Sequence, residues 1–167
     1  MMRKMVRIDA DPNLFNYRIA GLALRNGHLL VHRATHEPFW TLPGGRAEIG
    51  EDSRETLRRE MVEELEHETE IGNLLWVVEN FFFFDNRRYH ELGFYYRMAV
   101  PDSFPFASGE IVHRIADGGS DLEFKWVPAN EASLLALPLQ PNFIPGRIAN
   151  LPIVTEHLVW HETVPEG

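Results

Sequence analysis

An α/β fold, a mixed β-sheet with helices on both faces, is what the order of elements along this chain predicts. Three observations carry it. Two apolar runs flank Asn26-Gly27, a two-residue hairpin signal. From Asp52 to Ile71 neither glycine nor proline interrupts the chain, which leaves room for a helix of several turns. The apolar run Leu74–Phe84 and the alternating run Tyr89–Val100 then read as further strands.

Taken in order, residues 1–15 are mixed in character and supply a leading strand or an arm. Tyr17–Leu24 and His28–Arg33 form the first hairpin. Ala34–Pro38 is a loop, and Phe39 to Leu42 leads into a tight turn at Pro43-Gly44-Gly45, where the glycines can take angles that other residues avoid. Asp52 caps the helix, with Glu55 three residues on as its reciprocal partner. After a short turn at Gly72, Leu74–Phe84 reads as a strand buried on both faces. Asp85-Asn86-Arg87-Arg88 turns the chain. Tyr89–Val100 alternates, with Glu91, Gly93 and Tyr95 on one face and His90, Leu92 and Phe94 on the other. Residues 101–121 are loop-like, with room for a short strand at Ile111–Ile115. Leu122–Pro128 is a strand, Asn130–Leu137 a short helix capped by Asn130, Arg147–Asn150 a helical turn, and Val154–His161 a last strand before a frayed end at Val164–Gly167.

The chemistry gathers on the long helix. At roughly 100° per residue, Glu60, Glu63 and Glu64 fall within an arc of roughly 100°, beside the apolar stripe Leu57, Met61, Leu65. Like charges so placed cost a few tenths of a kcal/mol per pair. A divalent cation removes that cost, and Mg²⁺ takes oxygen ligands and bridges to phosphates. The same three carboxylates attached to nothing else would read as a solvated face.

They are attached to more. The stretch resembles the Nudix box, G-x5-E-x7-R-E-U-x-E-E-x-G-U, with U a bulky aliphatic. Gly45, Glu51, Arg59, Glu60, Met61, Glu63 and Glu64 match in register, while Glu66 stands in place of the second glycine and His67 in place of the last aliphatic. A non-glycine residue in a left-handed helix cap costs about 1 kcal/mol, so Glu66 should weaken the helix end without touching the acids. The resemblance implies a Nudix-type α/β/α sandwich with a mixed sheet. It implies hydrolysis of a nucleoside diphosphate linked to another moiety, such as a nucleotide sugar or ADP-ribose. Mg²⁺, or Mn²⁺ in its place, would be held by Glu60, Glu63 and Glu64. Arg59 would fix Glu63 or Glu51, and Gly45 would shape the turn. The water-activating base is open among Glu64, Glu63, Glu110 and Glu123, in falling order of preference. A homodimer is an expectation from the resemblance alone.

Other positions carry two readings each. Arg33 reaches a phosphate or is a solvated strand end, and Arg46 is a phosphate contact or a surface residue. Trp40 is a core residue or a stacking platform for a base. Glu48 adds an outer carboxylate. Glu91 reaches the site or pairs with Arg87 or Arg88 at a strand edge.

Composition bounds the rest. With 44% hydrophobic and 25% charged residues the chain reads as one soluble domain over 1–167. No apolar run approaches the ~20 residues of a membrane span, and no apolar signal core follows the basic N-terminus. The absence of cysteine excludes disulfides and a thiolate nucleophile, counts against an isoprenoid diphosphate isomerase, and fits a reducing cytoplasm. A net charge of −9 argues against nucleic acid as the main partner, but not against a small nucleotide that arrives with its own cation. The rival function is a nucleotide-binding regulatory module that kept this fold and lost turnover.

Overall fold

The computed structural model describes residues 3–162, so the expected frayed end at 164–167 lies outside the described residues. The strands are β1 (Arg7–Ala10), β2 (Asn13–Arg25), β3 (His28–Ala34), β4 (Gly44–Arg46), β5 (Glu70–Phe84), β6 (Arg87–Ala99), β7 (Ile111–Asp117), β8 (Ser120–Pro128) and β9 (Glu156–His161). Helix α1 spans Ser53–Leu65, α2 spans Glu131–Ala136, and a single 3-10 turn covers Pro145–Arg147. The strands join in one sheet of order β7-β8-β3-β2-β6-β5-β9, with β1 and β4 both added to β2. The β2–β6 and β5–β9 pairs are parallel and the others antiparallel, so the sheet is mixed.

Both faces are covered, as the pattern of alternation requires. Ile19 and Ala23 of β2 face Leu57, Met61 and Leu65 of α1. Ala20 and Leu22 face the opposite way, toward Leu134 of α2 and Phe143, Ile144 and Ile148 beside the 3-10 turn. Asn26 (φ 50°) and Gly27 (φ 70°) both take left-handed angles, the geometry of a two-residue hairpin between β2 and β3. No described helix is long and apolar enough to cross a membrane.

Several elements differ from expectation, each for a local reason. The long helix uses only part of the breaker-free stretch and ends at Leu65, with Glu66 as the left-handed cap (φ 58°) expected of that position, its N–H returning to the Val62 carbonyl. Its start is as expected, with the Asp52–Glu55 capping box made on both sides. β5 is not buried on both faces throughout. Leu75, Trp76 and Val78 are buried, but Phe83 is 50% exposed, because the strand outruns both cores after Asn80. Its outer phenylalanines find rings instead: Phe82 stacks on Tyr89 at 4.8 Å and Phe81 on His90 at 4.6 Å. The turn after β5 is Asp85-Asn86 alone, both at positive φ, and Arg87 and Arg88 already belong to β6. The helical turn expected at Arg147–Asn150 sits earlier, at Pro145–Arg147.

Candidate active site

β4 lies antiparallel on β2, with Gly44 opposite Ala20, Gly45 opposite Ile19 and Arg46 opposite Arg18. Neither Gly44 nor Gly45 has a positive φ, which corrects the expectation of a glycine turn here. What the two positions need is room. A Cβ on Gly44 would sit 2.0 Å from the Ile19 carbonyl oxygen, and one on Gly45 would sit 2.3–2.6 Å from the Glu60 carboxyl. The second glycine of the pair is thus the space into which α1 inserts an acid.

Arg59 organises the surrounding charge. Its Nε and Nη2 donate to Glu51 at 2.7 and 3.0 Å, a two-point clamp. Its Nη1 donates to Glu60 at 2.9 Å and Glu63 at 3.3 Å. Of the two partners expected for Arg59, Glu51 takes the clamp and Glu63 the weaker contact. Glu51 also accepts from the Glu48 N–H and the Thr56 hydroxyl. The Arg59 hydrogen bond, opposed by partial burial, brings the Glu51 carboxyl down to about 2. Glu60 goes the other way: burial pushes it up, and Arg59 only partly offsets this. Glu63 is 40% exposed at its side chain and is also bonded by Arg3.

Glu64 is the buried member, 6% exposed, with Oε2 3.6 Å from Nδ1 of His32. Burial brings the His32 imidazole down to about 3, so it is neutral and this contact is no ion pair. Among the described residues no three acids or histidines already converge as a cation cage. The donor types still suit a hard divalent cation, being carboxylate oxygens on one helix. Gly45 leaves the Glu60 carboxyl the space it needs.

These acids open on a cavity of about 760 Å³. Its other end is walled by Glu91, which takes the first of its two readings and reaches the site, and by Asn16, Asn80 and Glu162, which sequence reasoning passed over. Arg18 lines the cavity as well, donating to the Leu42 carbonyl at 2.9 Å. Glu91 accordingly does not pair with Arg87 or Arg88. It is buried, accepts from Asn16 Nδ2 at 3.1 Å, and Arg87 pairs with Asp9 instead. No strand by itself marked them: β2 also carries Asn13 and Arg18, β5 Asn73 and Glu79, and β6 His90 and Arg97.

The remaining candidates scatter. Arg46 and Arg33 both line the cavity. Arg33 spends its Nε on Glu123 at 2.8 Å and lies 4.5 Å above the Trp40 ring. Trp40 is a core residue, 4% exposed, with Lys125 4.3 Å from its ring centroid, and forms no part of the cavity wall. Glu123 is buried under Arg33 on β8, and Glu110 is exposed before β7; neither lines the cavity.

The family profile of the NUDIX domain matches residues 16–146. The chain belongs to the NUDIX family. YjhB of Bacillus subtilis (strain 168), provisionally assigned as an ADP-ribose pyrophosphatase, is 36% identical over 62 residues, 37% of this chain and 30% of its own length. A solved NUDIX hydrolase from Nitrosomonas europaea superposes with a TM-score of 0.60 at 16% identity, over 88% of this chain and 79% of that one. An ADP-ribose pyrophosphatase from Streptococcus suis 89-1591 gives 0.57 at 12% identity, over 87% of this chain and 98% of that one. At these identities the two structures support the NUDIX fold, with its mixed sheet and few helices. Nudix hydrolases work with a divalent cation on small nucleoside-diphosphate compounds. In this chain the box residues Gly45, Glu51, Arg59 and Glu60 stand in direct mutual contact or with room made for it.

Proposed function

We propose that this Nudix protein hydrolyses the pyrophosphate linkage of a nucleoside diphosphate joined to a second moiety, with Mg²⁺ held by Glu60, Glu63 and Glu64. Mn²⁺ can stand in its place. When bound, the cation supplies charge neutralisation at the phosphoryl oxygens and a more acidic water. The observation that supports this reading best is the space at Gly45 filled by the Glu60 carboxyl, beside an arginine pinned by Glu51, at the mouth of a cavity of about 760 Å³.

The chain's own side chains have separable parts. Glu51 fixes Arg59 at two points, and Arg59 sets the positions of Glu60 and Glu63 from its remaining N–H groups. Arg18 and Arg46, opposite each other on β2 and β4, put positive charge where the diphosphate lies. Arg33 adds to it from β3, steadied by Glu123 and Trp40. Glu64 takes the proton of the attacking water. The new phosphorus–oxygen bond forms as the bridging oxygen leaves with its phosphate, and no covalent enzyme intermediate is required. With Glu123 committed to Arg33 and Glu110 outside the cavity, Glu64 and Glu63 are the bases that geometry favours. A cytoplasmic site of action and a small-molecule partner belong to the same proposal.

The test is phosphate-product release from ADP-ribose, nucleoside triphosphates, dinucleoside polyphosphates and nucleotide sugars, with and without Mg²⁺. Glu64→Gln should lower kcat by at least ~100-fold with Tm unchanged. Turnover at the wild-type rate in that variant removes Glu64 as the base. No Mg²⁺-dependent product from any class removes the hydrolase reading.

A further inference from the structure

The far end of the cavity is a row of polar side chains across three strands of an apolar face. Asn16 on β2 is the register partner of Glu91 on β6, and Glu91 is the partner of Asn80 on β5. Adjacent rows on this face hold Tyr89 and Phe82 on one side, and Ala20, Tyr95 and Trp76 further along on the other. Burying three polar groups there costs free energy unless each finds a partner.

The partners found are only half of those available. Asn16 gives its amide nitrogen to Glu91 at 3.1 Å, and the Asn80 side chain acts on the Glu162 carboxyl, holding it down against burial. Among the described residues, Asn16 Oδ1 and Asn80 Oδ1 are buried and have no hydrogen-bond partner, on residues 3% and 2% exposed that line the cavity. Glu162 is well supplied, by the Asn142 N–H at 3.1 Å and by the Gln140 amide, whose nitrogen turned toward it lies 3.1 and 3.2 Å from its two oxygens. Glu91 is not: among the described residues its one hydrogen-bond donor is Asn16. The recess therefore offers acceptors, two bare amide oxygens either side of an under-supplied carboxyl, and asks for a ligand edge made of donors.

Planar rings stand beside it. Phe82 and Tyr89 are stacked with 12° between their planes, Phe39 meets Phe84 edge to face, and all four line the cavity. An aromatic wall next to an acceptor edge fits a flat heterocycle read along one side. Of the bases, guanine alone carries adjacent donors on two atoms, N1–H beside the N2 amino group. Two adjacent donors suit the two oxygens of one carboxylate, and the second amino hydrogen remains for an amide oxygen. Adenine and cytosine present an acceptor nitrogen next to their amino group. Uracil presents one N–H between two carbonyls. Each of these would set acceptor against acceptor in a buried site.

We propose that this recess reads the donor edge of guanine and that Glu91 is the residue that selects it. The inference rests on the cavity being a nucleoside-diphosphate site and narrows the substrate to guanosine compounds. Two residues along the strands, roughly 7 Å away, Arg18 and its neighbour Arg46 begin the charged end.

Equilibrium binding of GMP, IMP, AMP and UMP, followed by calorimetry in the presence of EDTA, tests the base reading apart from hydrolysis. IMP differs from GMP only by the missing amino group. The expected result is GMP bound at least ~10-fold more tightly than IMP, AMP or UMP, since a buried polar site penalises the analogue that leaves it unpaired. In Glu91→Gln, whose amide can accept from only one of the two donors, the GMP-to-IMP gap should close to within ~3-fold. Asn80→Ala should narrow the gap, and serves if Glu91→Gln does not fold. Equal wild-type affinity for GMP and IMP, tighter binding of AMP or UMP, or a gap unchanged in Glu91→Gln overturns the proposal. Guanine preference with no hydrolysis of any substrate would remove the enzymatic reading and leave the base reading standing. Hydrolysis without base preference would do the reverse.

Discussion

At the acidic end of the cavity, Glu51 sits inside a guanidinium clamp and its carboxyl is held down to about 2. In the recess, Glu91 has a single amide donor, and burial pushes its carboxyl above the ordinary range, with Arg18 opposing. The same type of side chain is thus driven in opposite directions at the two places. Clamped at two points and only partly buried, Glu51 is held ionised, whereas Glu60 beside it, with one Arg59 contact and more burial, is raised. A carboxylate given only an amide must meet most of the desolvation cost itself. On the proposed function, the acidic end is where a cation and a diphosphate would share that charge. The recess holds polar groups in waiting for donors.

The sharpest way to break this contrast is at Gly45. Gly45→Ala puts a methyl where the Glu60 carboxyl now lies, 2.3–2.6 Å from its atoms. Displacing an acid by about 1 Å from its working position can cost ~100-fold in rate. We expect a loss of that order in kcat/KM and weaker cation binding by calorimetry, while GMP binding in EDTA keeps its preference over IMP. A variant with full activity would show that Glu60 has no need of the space.

Next in size are the opposite pH slopes. Glu51 is lowered on folding, so its contribution is fully present above its unfolded value near 4.5 and is lost as pH falls toward about 2. Glu51→Gln should therefore flatten the acid arm of a stability–pH curve measured by urea unfolding, and lower kcat about 10-fold by loosening Arg59. Glu91 is raised on folding, so the folded state favours its protonated form. That contribution is present below 4.5 and is lost as pH rises through the raised value. Relative to the wild type, Glu91→Gln should be more stable at pH 8 than at pH 4. Parallel curves for the two variants would erase the distinction drawn between the two ends.

The smallest effect belongs to a position outside both ends. Glu66 holds the left-handed cap of α1 at φ 58°. Glu66→Gly should stabilise the protein by about 1 kcal/mol in chemical denaturation, with turnover unchanged. A destabilised variant would mean that the Glu66 side chain contributes contacts worth more than the strain.

What could be read along the chain was whatever depends on near neighbours. The Asp52–Glu55 capping box, the Asn26-Gly27 hairpin and the register of acids on α1 follow from spacing on one element or one turn, whereas the choice of Glu51 over Glu63 for the Arg59 clamp did not. The end of the helix at Glu66, in a left-handed cap, was legible too; one local reading slipped. A glycine pair that looked like a turn proved to be a strand, because the use of Gly45 is set by Glu60, fifteen residues away.

Sequence alone determined how the acids Glu60, Glu63 and Glu64 stand relative to one another, since one helix carries them and helical geometry converts spacing into direction. Tertiary structure decided the recess. Asn16, Asn80 and Glu91 come from three strands separated by up to 75 residues, and each is an ordinary polar residue in its own strand. Only strand register, which the pairing of β2, β6 and β5 supplies, sets them side by side on one buried face and leaves two amide oxygens unanswered.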